Sequence, residues 1–194
     1  MKTHAIITYS FDELSDDAKQ KAIEHYRNTC SEIFWADELL ESFCAVFKAA
    51  NVTLKDYELG LYNSNIRIDL NDTIGDLTGA RAFAWLENNL FYKLRITRAD
   101  YLKNRKAYLS YGRDYRIGCV KPGPLTGYCA DESFLNHLTD AIKSGNTLKD
   151  AFLQLADVYQ SLLNQENDFQ NSEEYISEHM QANEYEFLEN GTQY

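Results

Sequence analysis

A chain of 194 residues with 44% hydrophobic and 13% aromatic content, including 14 Tyr and 10 Phe, can bury one sizeable core and is too aromatic to be disordered. No apolar run approaches the roughly 18 residues of a membrane span, and Ala5-Ile6-Ile7, broken by Thr8 and Ser10, is too short for a secretory leader. A soluble cytoplasmic protein with a single domain over residues 1–194 is therefore expected, without contact to a membrane; its net charge is −11.

Residues 4–11 alternate, with Ala5, Ile7, Tyr9 and Phe11 on one face, and predict a strand. Ser15 reads as an N-cap, followed by Asp16 and Asp17 where acids suit the helix dipole, so a helix is expected to about Thr29. A second helix over 33–50 would bury a stripe of Trp35, Leu39, Phe43, Val46, Phe47 and Ala50, stopping at Asn51. Tyr57, Leu59 and Leu61, then Ile66, Ile68 and Leu70, flank the turn Asn63-Ser64-Asn65 and predict a hairpin.

A further helix starts near Ala80. Residues 110–130 hold both prolines and many glycines and read as irregular. Helices follow over 131–143 and from Thr147, where Asp150 completes a variant capping box and Leu148, Phe152, Leu155, Tyr159 and Leu162 form a core stripe. A short helix from Ser172 and a strand at 185–188 end the pattern, and Asn190-Gly191 is a favoured turn. The fold class is α+β: a small antiparallel sheet of N-terminal strand, central hairpin and C-terminal strand, packed with about five to six helices.

Charge is segregated along the chain. Residues 91–121 carry nine basic and two acidic side chains, whereas 122–194 carry two basic and 13 acidic. The basic island, with Arg98, Arg105, Lys106, Arg113 and Arg116 among Tyr108, Tyr111 and Tyr115, has three readings: pairing with the protein's own acids, contact with a partner protein, or nucleic-acid binding over 92–121. The acidic stretch of Glu166, Asp168, Glu173, Glu174 and Glu178 is either a solubilising face or a surface that imitates a phosphate backbone.

Enzymatic motifs are missing: there is no P-loop, dinucleotide fingerprint, H-E-x-x-H or G-x-S-x-G. His4, His25, His137 and His179 are scattered and accompany no nucleophile, so each reads as a surface or capping residue. Cys30, Cys44, Cys119 and Cys129 lack metal-site spacing. No catalytic residue, metal or cofactor is expected.

Two segments carry a resemblance: Tyr9-Ser10-Phe11-Asp12-Glu13-Leu14-Ser15-Asp16-Asp17-Ala18-Lys19-Gln20-Lys21-Ala22, and Ser172-Glu173-Glu174-Tyr175-Ile176 with Ala182-Asn183-Glu184-Tyr185-Glu186-Phe187-Leu188-Glu189-Asn190-Gly191. They resemble a family of small accessory proteins of tailed phages and prophages, the second match extending back to about Leu155. Gly127-Tyr128-Cys129 is also similar. Residues 23–126 depart from the pattern, with Leu61-Tyr62-Asn63-Ser64-Asn65 where the family has a Gly-rich strand.

The resemblance implies a phage setting in a bacterial host's cytoplasm, and no catalytic residue transfers with it. Together with the segregated charge, it points to a non-enzymatic protein that binds a host protein or ribonucleoprotein complex as an anti-CRISPR or anti-nuclease inhibitor. The alternative is a nucleic-acid-binding module. The aromatic content also allows a homodimer.

Overall fold

Ser10 decides how the chain begins. Its backbone N–H and its hydroxyl both donate to Glu13 Oε2 at 2.9 Å, which turns the chain into a 3₁₀ turn over Phe11–Glu13. The turn ends strand β1 at Ser10, and among the described residues the strand covers Tyr9–Ser10, shorter than the alternation predicts, with Ile7 69% exposed. Residues 4 and 5 of the expected strand lie outside the described residues. The computed structural model describes residues 6–29, 35–95, 102 and 123–194. These residues form two compact units, one from within 1–34 and 165–194, the other from within 35–164.

The first unit joins the two matched segments. Helix α1 (Asp16–Thr29) opens with Ser15 Oγ accepting from Ala18 N at 3.4 Å, as the capping pattern predicts. Its buried face, Ala18, Ala22 and Ile23, meets Ile176 and Met180 of the C-terminal helix (Glu173–Ala182). Strand β1 pairs antiparallel with Glu186–Phe187, with Tyr9 opposite Phe187 and Ser10 opposite Glu186. The rings of Phe11 and Phe187 meet edge to face at 6.1 Å, closing a core that also contains Leu14.

Beyond that strand, Asn190-Gly191 reverses the chain and Phe187 bridges to Gln193. Gly191 has φ +85°, and a Cβ there would overlap the Ala18 carbonyl oxygen. Glycine is required twice over, for its left-handed backbone and for its close approach to α1.

In the second unit, helix α2 (Ala36–Ala50) buries Leu39, Phe43, Val46, Phe47 and Ala50 as predicted. Trp35 departs from the predicted stripe: it precedes the helix with φ +67° and is 57% exposed. The hairpin forms with Tyr57 opposite Ile66, as β2 (Thr53–Glu58) and β3 (Asn65–Asp69). Its first strand starts and ends earlier than predicted, leaving Leu59 and Leu61 in the connection. After the turn α3 (Asp72–Gly75), helix α4 (Gly79–Leu86) continues through a π-helical turn at Glu87–Phe91 into a last turn at Tyr92–Leu94.

Helix α5 (Ala130–Lys143) packs on α2, with Phe43 central: its ring lies 5.6 Å from Phe134, 5.5 Å from Tyr159 and 5.0 Å from Phe47. Thr147 caps α6 (Leu148–Leu153) by accepting from Asp150 N at 3.1 Å. Gln154 separates α6 from α7 (Leu155–Gln170), which contributes residues to both units, and α8 is Glu173–Ala182.

The α+β class is observed. Its strands divide between two ladders, β2 with β3 and β1 with β4 (Glu186–Phe187), where a single sheet was expected. The physical reason is length: at two residues per strand, β1 and β4 offer too few backbone groups to extend another ladder.

Among the described residues, Asp131 is the one acidic residue at a fully buried position of the second unit. Its Oδ2 accepts from the backbone N–H of Leu125 at 2.8 Å and of Thr126 at 2.7 Å. Its Oδ1 accepts from Thr126 Oγ1 at 3.0 Å and from the hydroxyl of Ser42 on α2. A carboxylate that accepts four donors is stable without water, and this one fastens residues 125–126 and α2 to the start of α5.

Replacing Asp131 with Ala strands these donors and should cost about 3 kcal/mol in urea unfolding, with Asp131→Asn costing less because one oxygen remains. Gly191→Ala should cost about 2 kcal/mol or more, read as a lower thermal midpoint, because strain and overlap add.

Candidate functional site

The acidic stretch becomes a surface because of where α8 hides its apolar residues. Ser172 Oγ accepts from Tyr175 N at 3.2 Å and sets the helix start, so Glu173 and Glu174 fall in the first turn, where their charge suits the dipole. Ile176 and Met180 point into the core. Glu174 and Glu178, four residues apart, consequently share the opposite, exposed face. Glu173 is exposed as well, and so is Asp168 on the last turns of α7.

Glu166 differs from the others. It is half-buried and accepts from Gln170 Nε2 at 2.6 Å, so one of its oxygens is engaged within the helix. None of the ion pairs among the described residues involves these five carboxylates.

Phe169 is 57% exposed beside this surface, its ring 5.0 Å from that of Tyr175. Tyr175 in turn stacks on His179 at 5.8 Å, and His179 also meets Tyr26 at 5.5 Å and Tyr185 at 5.9 Å. His179 is half-buried in the last turn of α8, where a capping histidine was expected, and three tyrosine rings from α1, α8 and the following segment contact it. The signal lay in the helical spacing of Tyr175 and His179, four apart on one face, which the acidic composition obscured.

Segregation of charge is sharper by unit than along the chain. Described residues 6–29 and 165–194 include 13 acidic and three basic side chains, and 165–194 contain no Lys or Arg. The whole of 35–164 contains 16 acidic and 15 basic side chains and is nearly neutral. Most of the net −11 thus belongs to one unit.

The predicted basic-island residues Arg98, Arg105, Lys106, Tyr108, Tyr111, Arg113, Tyr115 and Arg116 lie outside the described residues. Two cations at its near edge are described, and both serve the protein itself. Lys93 Nζ donates to the carbonyl of Ala49 at 2.7 Å, and Arg95 meets Glu87 with two contacts at 2.7 and 2.9 Å. The planar guanidinium grips that carboxylate at the π-helical turn, where neither side chain is fully exposed.

Among the described residues no group of three His, Cys, Asp or Glu side chains is arranged to hold a metal ion. No described helix is long and apolar enough to cross a membrane. His25 is exposed, and His137 is half-buried with Nε2 lacking a hydrogen-bond partner among the described residues. Burial pushes the Cys44 thiol up from its ordinary pKa, and burial followed by the nearby Cys44 raises the Tyr159 hydroxyl. Cys129 is exposed at the start of α5.

Because the thiolate is the reactive form, a disulfide reagent should label Cys129 at least about tenfold faster than Cys44 near neutral pH in a Cys30→Ser, Cys119→Ser background. Peptide mapping of the labelled protein checks this order. Comparison of the chain with protein-family models, with curated proteins and with solved structures finds no match.

Proposed function

We propose that this protein is a phage-encoded accessory protein that binds a host protein or ribonucleoprotein complex through its acidic unit and inhibits a bacterial defence nuclease or CRISPR complex. The observation that carries this reading is the concentration of charge: 13 acidic against three basic described side chains in one unit. A surface of that sign repels nucleic acid and attracts the grooves that bind it.

The spacing supports competition with a phosphate backbone. Glu174 and Glu178 are separated by about 6 Å of helical rise, comparable with two steps of about 3.4 Å along one DNA strand. Exposed Phe169 supplies an apolar anchor beside the carboxylates, and aromatic anchors often carry the affinity of protein interfaces whose charges mainly steer. Inhibition by occupancy needs no catalytic group.

The test is capture of a partner from host lysate with the tagged full chain, followed by measurement of that partner's nucleic-acid affinity. A partner that survives nuclease treatment, and whose DNA or RNA binding falls at least about tenfold with the protein present, is expected. Charge reversal at Glu173, Glu174 and Glu178 should restore that binding. Capture that disappears with nuclease, or a partner whose nucleic-acid binding is unchanged, would remove the reading.

A further inference from the structure

A trough of about 370 Å³ lies within the acidic unit, between the β1/β4 ladder, the 3₁₀ turn and the C-terminal end of α8. Phe11 and Met180, both buried, form its floor, and Tyr9 and Tyr185 line it with half-buried rings. Four carboxylates, Asp12, Glu13, Glu184 and Glu186, also line it, and among the described residues its lining includes no Lys, Arg or His.

The carboxylates have separate tasks. Asp12 Oδ1 accepts from Gln181 Nε2 at 2.6 Å, and Glu13 accepts from Ser10, whose N–H and hydroxyl hold its carboxyl below the usual carboxylate range. Glu184 and Glu186 are exposed, and neither carboxylate has a hydrogen bond or ion pair among the described residues. Glu184 follows α8 with φ +52°, in the left-handed region, and its two neighbours on the trough, Tyr185 and Glu186, lead directly into β4. The negative end of the α8 dipole adds to the same field.

We infer that this trough receives the side chain of an arginine presented by the partner protein. The inference rests on the reading that the acidic unit meets a basic protein surface, and it names the contact. The volume lies in the range of ligand sites, roughly 300–1,000 Å³, and matches a long side chain better than an ion. The carboxylates do not gather three to a point as a metal requires. An arginine suits what is there: its methylene stem lies on Met180 and Phe11, its planar head stacks on Tyr9 or Tyr185, and its donors reach Glu184 and Glu186.

The full chain is titrated with a pentaarginine peptide and with its citrulline counterpart, which keeps the shape and loses the charge, while methyl and ring NMR signals are followed. The arginine peptide should shift the Met180 methyl and the Tyr9 and Tyr185 rings, and the citrulline peptide should not. Glu184→Gln with Glu186→Gln should weaken arginine binding about five- to tenfold, as loss of two exposed pairs implies. If that pair lowers the melting temperature, Glu186→Gln alone makes the comparison.

Equal binding of the citrulline peptide, silence at Met180, or unchanged affinity in the glutamine variants overturns the inference. The two readings fail separately. A host partner that is inhibited in the Proposed function assay, without an arginine response at the trough, leaves the function standing and removes the arginine site. A trough response without any inhibited partner does the reverse.

Discussion

Gly191 rests against the carbonyl of Ala18, and this contact joins the end of the chain to its beginning. The approach is possible only without a Cβ. It places the Asn190-Gly191 turn on α1, which lets β4 reach β1 and brings Phe187 onto Phe11. Every acidic side chain of the last thirty residues thereby joins the acids of the N-terminal segment in one unit. The candidate surface and the trough both follow from that closure.

Such a concentration of like charge opposes folding, so the core beneath it must outweigh the repulsion. Each large side chain buried there, including Phe11, Leu14, Ile23, Ile176, Met180 and Phe187, contributes about 1.5–3 kcal/mol. Exposed like charges interact by less than about 1 kcal/mol per pair and are screened over roughly 8 Å at physiological salt. A core of modest size therefore tolerates a strongly charged exterior. The aromatic contacts of His179 add cohesion without adding negative charge.

The second unit uses a different economy. Its core is aromatic, built around Phe43 and Phe47 with Phe134, Phe152 and Tyr159, and its acids and bases nearly balance. Its exceptional polar group, Asp131, is fully satisfied by four donors and works as a clasp. In sequence Asp131-Glu132 looks like any acidic helix start, and only the fold separates the buried partner from its half-exposed neighbour. Lys93 and Arg95 show the same limit: two cations of a basic run are committed to Ala49 and Glu87.

Local chemistry was legible from the residues themselves. Caps at Ser15, Thr147 and Ser172, the hairpin around residues 57–66, the buried stripe of α2 and the final turn all depend on neighbours within about one turn of chain, so the sequence determines them. Charge segregation was legible for the same reason, being a property of composition. Tertiary structure decided the rest: that the strands form two ladders, that Trp35 stays out of the stripe, that His179 sits among tyrosines, and that Glu184 and Glu186 share a trough with Asp12 and Glu13. These outcomes rest on contacts between residues far apart in the chain, which no local periodicity encodes.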